Sequence, residues 1–367
     1  MRSGLYGEPV PETELPDSID WRVIAALAKK HTVQGIIIES VEYLPEHLCP
    51  SAETYAKMQR FALGLIQANA VVDKTVARLV SFFEPYGIHG VLLKGQGVAR
   101  YYRKPPMRHN GDIDFYVGKK NYKKAVAVCN EKLVKEKNDC GETDQHFAFF
   151  IGKIPIELHR LATRVYSPRR NKRMQRWIVD QLEHSPDRRA LAIDGVEVTL
   201  PSYDFDAIFI FYHGWRHFIT GGIGLRQLCD WAMVFWSHYD DIDIERLIEN
   251  IHAFGITNGW KLFACIAVEH LGLPADKMPL YDPAFSKKSE KVLEEILSGG
   301  NFGYYSEDYM ALPASRSSLA YSLRKFRSAA NYFFTLFPLM PAESTFLFFN
   351  RLYIGTIAVA KRAISGK

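Results

Sequence analysis

The chain predicts an α+β (mixed α/β) fold, a small mixed sheet flanked by N-terminal and C-terminal helical regions. Three observations carry this. Short apolar runs of strand length recur between residues 89 and 159, and one of them, DIDFYV, alternates with period two. HFAFFIGKIPIELH is broken at Gly152-Lys153, as a hairpin is. Before residue 80 and after Pro201 the apolar spacing becomes helical. The implied units are 1–80, an N-terminal helical lobe; 81–200, which carries the sheet; 201–290, a second helical domain; and 291–367, an aromatic and basic helical extension.

The elements follow in order. MRSGLYGEPVPETELPDS is polar and proline-rich, a flexible lead-in without the apolar core of a signal peptide. Asp17 or Ser18 is placed to cap a helix through WRVIAALAKKH, and VQGIIIESVEYL follows. Residues 51–83 read as one long helix whose apolar face is Leu63, Ile66, Ala70, Ala77 and Val80. HGVLLK is a buried strand, and GQGVARYY turns into a helix. KPPMRHNGD is a loop with two prolines and an Asn-Gly signal. After the DIDFYV strand, 121–135 form a helix, then the hairpin, then the basic run RRNKRMQR, whose plain reading is a solvated helix face. Helices then run through SYDFDAIFIFYHGWRHFI, GIGLRQLCDWAMVFWSHY, IERLIENIHAFG and GWKLFACIAVEHLGL.

Of 367 residues, 47% are hydrophobic, enough for a large core. The formal charge of +5 suits an anionic substrate such as a nucleotide but does not establish nucleic-acid binding. Five cysteines without Cys-x-x-Cys spacing imply a reducing compartment and argue against structural zinc. No long apolar run predicts a spanning helix, so a cytoplasmic protein is expected. The tail leaves two readings. YSLRKFRSAANYFFTLFPLM, with Arg324, Lys325 and Arg327, and TFLFFNRLYIGTIAVAKR either pack on the helical lobe or lie at a membrane surface, peripheral to the inner membrane. Nothing marks a dedicated nucleic-acid module.

The chemistry centres on Gly111-Asp112-Ile113-Asp114. Residues i and i+2 of a strand share a face, so Asp112 and Asp114 project together while Ile113 points into the core. Adjacent carboxylates repel unless a cation joins them, and Mg²⁺ (or Mn²⁺) is the hard partner such oxygens favour. Ile156-Glu157-Leu158-His159 repeats the acidic pattern on a second strand. Glu157 then completes a triad; otherwise Glu157 and His159 sit on a solvated edge. Lys94-Gly95-Gln96-Gly97 follows a strand, where small residues let backbone amides approach phosphate, although a plain turn has the same form. Arg108 is placed to contact a triphosphate, to brace Asp112, or simply to face solvent.

Lys94-Gly95 after a strand, Gly111-Asp112-Ile113-Asp114 and the third acid in Ile156-Glu157-Leu158 together resemble the nucleotidyltransferase superfamily typified by polymerase beta and the aminoglycoside nucleotidyltransferases. The chain is most similar to the bacterial nucleotidyltransferase-like proteins of largely uncharacterised function, over roughly residues 20–290. The resemblance implies a small nucleotidyltransferase-type mixed sheet and transfer of an NMP from an NTP, ATP foremost, to a hydroxyl, with release of pyrophosphate. It implies metal binding by Asp112, Asp114 and Glu157, and a phosphate turn at Gly95 and Gly97. Gly-Gln-Gly stands where the superfamily commonly has Gly-Ser or Gly-Gly, and its spacing to Asp112 is long.

In the second helical domain, His213 and His217 share a helix face with Arg216 close by, a substrate-side patch or ordinary packing. Arg226 and Asp230 are four apart, either an intrahelical pair or acceptor-side groups. The acceptor is an unidentified small molecule, sugar or protein. A metal-dependent phosphohydrolase and a catalytically inactive nucleotide-binding or scaffold protein are the competing readings.

Overall fold

The computed structural model describes residues 1–134 and 140–300, with a few positions between 330 and 352. Helices α1 (Arg2–Tyr6), α2 (Trp21–Lys30), α3 (Gln34–Ser40) and α4 (Ala52–Phe83) come first. Then come β1 (Val91–Leu93), α5 (Gly95–Ala99), β2 (Ile113–Tyr116), α6 (Gly118–Lys132), β3 (Gly141–Glu142), β4 (His146–Ile151) and β5 (Ile154–His159). They are followed by α7 (Pro168–Val179), β6 (Arg189–Ile193) and β7 (Val196–Leu200). Helices α8 (Tyr203–Thr220), α9 (Leu225–His238), α10 (Ile244–Phe254), α11 (Thr257–Cys265) and α12 (Ser286–Gly299) follow. This is a mixed α/β fold with a small sheet between N-terminal and C-terminal helical regions.

The sheet runs β1-β2-β5-β4-β3. β2 and β5 are parallel and the other neighbours antiparallel. A parallel pair needs a crossover, and α6 with the β3–β4 ribbon supplies it. Alternation divides the sheet's two faces. Leu92, Ile113, Phe115, Phe147, Phe149, Ile156 and Leu158 are buried in one core with Val76, Leu79 and Phe83 of α4 and Ala125 and Cys129 of α6. Each Val, Leu, Ile or Phe among them contributes about 1.5–3 kcal/mol on burial. Phe115 stacks on Phe83 with ring centroids 5.9 Å apart. The opposite face turns its polar residues towards α8.

A second core unites the helical regions. Leu5 and Ile36 from the first helices share it with Ile178, Phe211, Trp215, Trp231, Trp260 and Phe263. The aromatic centre is dense, with Trp231 meeting Trp260 edge-on at 4.8 Å. Leu347 is buried in the same core. Arg324, Lys325 and Arg327 lie outside the described residues. Among the described residues no helix is long and apolar enough to cross a membrane, and no disulfide joins the cysteines.

Three local expectations are corrected. The cap of α2 is Asp20, which accepts from the Arg22 and Val23 amides, not Asp17 or Ser18. The buried face of α4 runs through Ala62, Leu65, Asn69, Val72 and Val76. Leu63 and Ile66 are 61% and 41% exposed, and of the expected face only Ala77 is fully buried. An aliphatic stripe one residue out of phase had the same spacing. The lead-in is not flexible throughout: α1 spans Arg2–Tyr6 and buries Leu5 in the second core, whereas the basic run is the solvated face expected, the outer side of α7, whose Met174 and Ile178 are core.

Glu39 on α3 is 4% exposed, and its Oε1 has no hydrogen-bond partner among the described residues. Burial raises its carboxyl from 4.5 to about 7, against the pull of Lys104 and Arg103. A folded-state value above the unfolded one means that stability is full below about pH 4.5 and is lost as pH rises through 7. Glu39→Gln is expected to remove that slope and to gain about 1–3 kcal/mol at pH 8. Urea midpoints of both proteins at pH 5 and 8 check this; parallel pH dependences would refute it.

Candidate active site

The parallel register sets Asp114 directly beside Glu157. Asp112, one residue before β2, lies two positions from Asp114 and therefore on the same side. Donor oxygens of Asp112, Asp114 and Glu157 all lie within 4.8 Å of one another. Asp114 is buried, Glu157 half-buried, and Asp112 sits at the open rim. The apolar partners of these acids, Ile113, Phe115, Ile156 and Leu158, anchor both strands from behind.

Two cations hold this cluster together. Lys94 Nζ lies 2.9 Å from Asp114 Oδ2. His159 Nε2 lies 2.8 Å from Asp114 Oδ1 and 3.3 Å from Glu157 Oε2. Burial alone would raise the Asp114 carboxyl, but Lys94 and His159 outweigh it and hold the group well below the usual range. Glu157 is likewise lowered, with His159 overcoming burial. The same contacts overcome burial at His159 and raise it to about 9. Asp112 moves the other way, up, because Asp114 repels its charge and burial adds to that. A rim carboxylate destabilised by its neighbour, within reach of two further carboxylates, fits a divalent cation. Asp112, Asp114 and Glu157 are the residues that would hold it.

Lys94 reaches Asp114 from a strained turn. Its φ is +53°, in a region unfavourable for a residue with a Cβ, and Gly95 follows at +44°. The other residues of this turn have structural partners. The Gly97 amide donates to the Lys94 carbonyl at 2.9 Å, and a Cβ on Gly97 would come within 3.1 Å of Leu200. Gln96 is buried and donates to Asp73 on α4. Gly97 thus packs closely against Leu200 of β7, and the amides of Gly95 and Gln96 are the ones left as candidate phosphate donors.

Arg108 does not face the triad. It is 5% exposed, and its Nε and Nη2 each donate at 2.7 Å to the two oxygens of Asp230. Tyr102 donates to the same carboxylate at 2.8 Å. This geometry counts against a direct triphosphate contact by Arg108 and against Asp230 as a base. Burial would raise Asp230, but Arg108 and Arg226 lower it. Arg226 is not hydrogen-bonded to Asp230; it donates to the carbonyls of His109 at 2.8 Å and Asn110 at 3.3 Å. From the other side, Asn69 of α4 donates to the carbonyls of Pro106 and Arg108. The loop that carries Asp112 is clamped between α4 and α9. Gly35 lets α3 approach it, since a Cβ there would lie 1.8 Å from the Met107 carbonyl.

Across from the acids, α8 presents His213, Arg216 and His217, all half-buried. His213 ring nitrogens lie 3.1 and 3.3 Å from Lys94 Nζ, and the His213 and His217 rings are 4.5 Å apart. Burial, reinforced by Lys94, drives His213 far below its usual value and His217 to about 4. Both imidazoles are therefore neutral near pH 7. Arg216 donates to Gln145 at 2.8 Å. His146, opposite His159 in the β4–β5 ladder, completes this wall. Its place follows from counting outward from Gly152-Lys153, a step the sequence permitted.

The structure thus sets three carboxylates on a small mixed sheet beside a lysine-bearing turn. A family model described as uncharacterised nucleotidyltransferase matches residues 17–272, and the chain belongs to that family, within the broader polymerase-beta-like superfamily. No curated protein and no solved structure matches the chain.

Proposed function

We propose that the protein transfers an NMP from an NTP, ATP first among candidates, to a hydroxyl of a small-molecule, sugar or protein acceptor. The acceptor oxygen forms a bond to the α-phosphorus, the bond from that phosphorus to the β-phosphate oxygen breaks, and pyrophosphate leaves with the electron pair. The observation that carries this reading is the register of Asp114 with Glu157, which assembles three carboxylates beside Lys94. Bound Mg²⁺ or Mn²⁺ would supply charge neutralisation at the phosphates and a more acidic acceptor hydroxyl.

The chain's own residues do the rest. Asp112 and Asp114 would hold the ion, and Glu157 would complete the set and is placed to take the hydroxyl proton. Lys94, beside Asp114 at the start of the glycine turn, is placed to offer its positive charge to phosphate oxygens. The amides of Gly95 and Gln96 are offered to the same phosphates. Neutral His213 and His217, with Arg216, line the acceptor side and orient a polar group by hydrogen bonds. The clamped 105–110 loop keeps Asp112 in place, so little ordering is needed when substrate arrives.

The test is transfer of label from each NTP carrying a radioactive α-phosphate, with Mg²⁺ or Mn²⁺, with and without cell extract, beside the Asp112→Asn, Asp114→Asn double variant. Metal-dependent label on the protein or an extract component, absent in the double variant, is the expected result. NTP turnover without any labelled product would replace the reading by a phosphohydrolase. Failure to bind Mg-NTP would replace it by a scaffold, a reading favoured by Lys94 and His159 already neutralising Asp114.

A further inference from the structure

We propose that His146, Glu157 and His159 form a second, nitrogen-rich metal site, sharing Glu157 with the carboxylate triad, for a borderline divalent transition ion, Zn²⁺ foremost. One donor atom from each of the three lies within 4.8 Å of the others. Their convergence follows from the hairpin. Glu157 and His159 alternate onto one face of β5, and the antiparallel register puts His146 opposite His159.

The spacing suits a small tetrahedral centre. Bonds of about 2.0–2.1 Å to nitrogen and oxygen place neighbouring donors roughly 3.3 Å apart. Glu157 Oε2 lies 3.3 Å from His159 Nε2 and 3.5 Å from His146 Nδ1. Three protein donors would leave the fourth position open, as in catalytic rather than structural zinc sites.

A second observation concerns the ring of His159. Its Nδ1 lies 3.3 Å from the Leu161 carbonyl, which can only accept, so that nitrogen carries a proton. Nε2 is thereby directed at Asp114 and Glu157, where it carries the second ring proton in the metal-free protein; a bound ion would take the place of that proton. Fixing a histidine ring through its far nitrogen is the usual support of a metal-bound imidazole. His146 and His159 rings meet edge-on at 5.2 Å, which holds both in place.

Donor chemistry separates this set from the carboxylate triad. Asp112, Asp114 and Glu157 offer only oxygen, the preference of Mg²⁺, whereas two imidazoles favour zinc-like ions. Glu157 is common to both, so the two sets are adjacent and compete for one carboxylate. The inference stands on the donor set alone and does not require the transfer reaction.

The experiment uses the full chain stripped of metal by a chelator and titrated with Co²⁺, whose visible absorption reports nitrogen ligation and low coordination number. We expect intense bands that saturate at one equivalent, persist in excess Mg²⁺ and are displaced by Zn²⁺. His146→Ala and His146→Gln are expected to weaken Co²⁺ and Zn²⁺ binding at least tenfold, while Asp112→Asn leaves the bands in place. A wild-type spectrum of weak, octahedral, oxygen-ligated Co²⁺ overturns the proposal, and needs no variant to do so. Equal affinity in folded His146 variants, checked by circular dichroism, overturns it too. Label transfer is scored separately with Mg²⁺, so loss of one result leaves the other standing.

Discussion

Asp112→Asn is expected to lower nucleotidyl transfer by about 10²–10⁴-fold while leaving the metal-free fold no less stable than wild type. The two halves of this expectation have one origin. Asp112 sits at the rim, and the principal influence on its carboxyl is repulsion from Asp114. Removing its charge relieves that repulsion in the absence of metal. It also deletes a charged oxygen donor from a set of three, and a bound ion supplies several kcal/mol of transition-state stabilisation. At 1.36 kcal/mol per tenfold, that loss spans the stated range. Transfer rates at saturating Mg²⁺ together with a thermal melt in chelator decide the matter. A variant that melts well below wild type would make Asp112 a structural residue. One that retains full transfer would remove it from the site. Asp114→Asn is a less clean probe, because Lys94 and His159 would both lose a buried partner.

Asp230→Ala is expected to cost about 3–5 kcal/mol of stability, the range for breaking a buried ion pair from one side. Arg108 is 5% exposed and would keep its charge without a counter-ion, and Tyr102 would lose its acceptor. Replacing both members, Arg108→Met with Asp230→Leu, is expected to recover part of that loss, since Arg108 is no longer left without a counter-ion, while Arg226 still loses a nearby negative charge and Tyr102 its acceptor. Urea unfolding of Arg108→Met, Asp230→Leu and the double variant beside wild type measures the coupling. The double variant also separates roles. If Asp230 only clamps the loop, the refolded double variant retains transfer to the extent that Asp112 is still held. Complete loss of transfer with wild-type stability would return Asp230 to the chemistry.

Much of this was legible in the chain. β1, β2 and the β4–β5 hairpin follow from apolar runs, alternation and the Gly152-Lys153 turn, all local signals. Asp112, Asp114 and Glu157 stood out because an acid in the middle of an apolar strand is conspicuous. The β6–β7 hairpin has its own local signal in Asp194-Gly195, both of positive φ, but short flanking runs that mix charged and apolar residues mask its strands. The partner of Asp230 was not legible. Arg226 lies one helical turn away, but Arg108, far off in sequence, arrives along a loop whose path only tertiary packing sets. His146 failed to register as a site residue because its significance depends on strand register. Gln96 and Gly97 looked like a phosphate turn because glycine spacing is identical for phosphate approach and for close backbone packing.

The parallel pairing of β2 with β5 carries a consequence for how the protein is made. Asp114 and Glu157 meet only after α6 and the β3–β4 ribbon have been traversed, and closing so long a loop is slow compared with forming α4 or the hairpin. A nascent chain that has not yet released His159 from the ribosome holds its aspartates without the strand that completes their ligand set. The three-carboxylate set is therefore complete only after β5 has emerged and paired with β2, and a truncated product that ends before Glu157 carries the most visible motif of the sequence without its third acid.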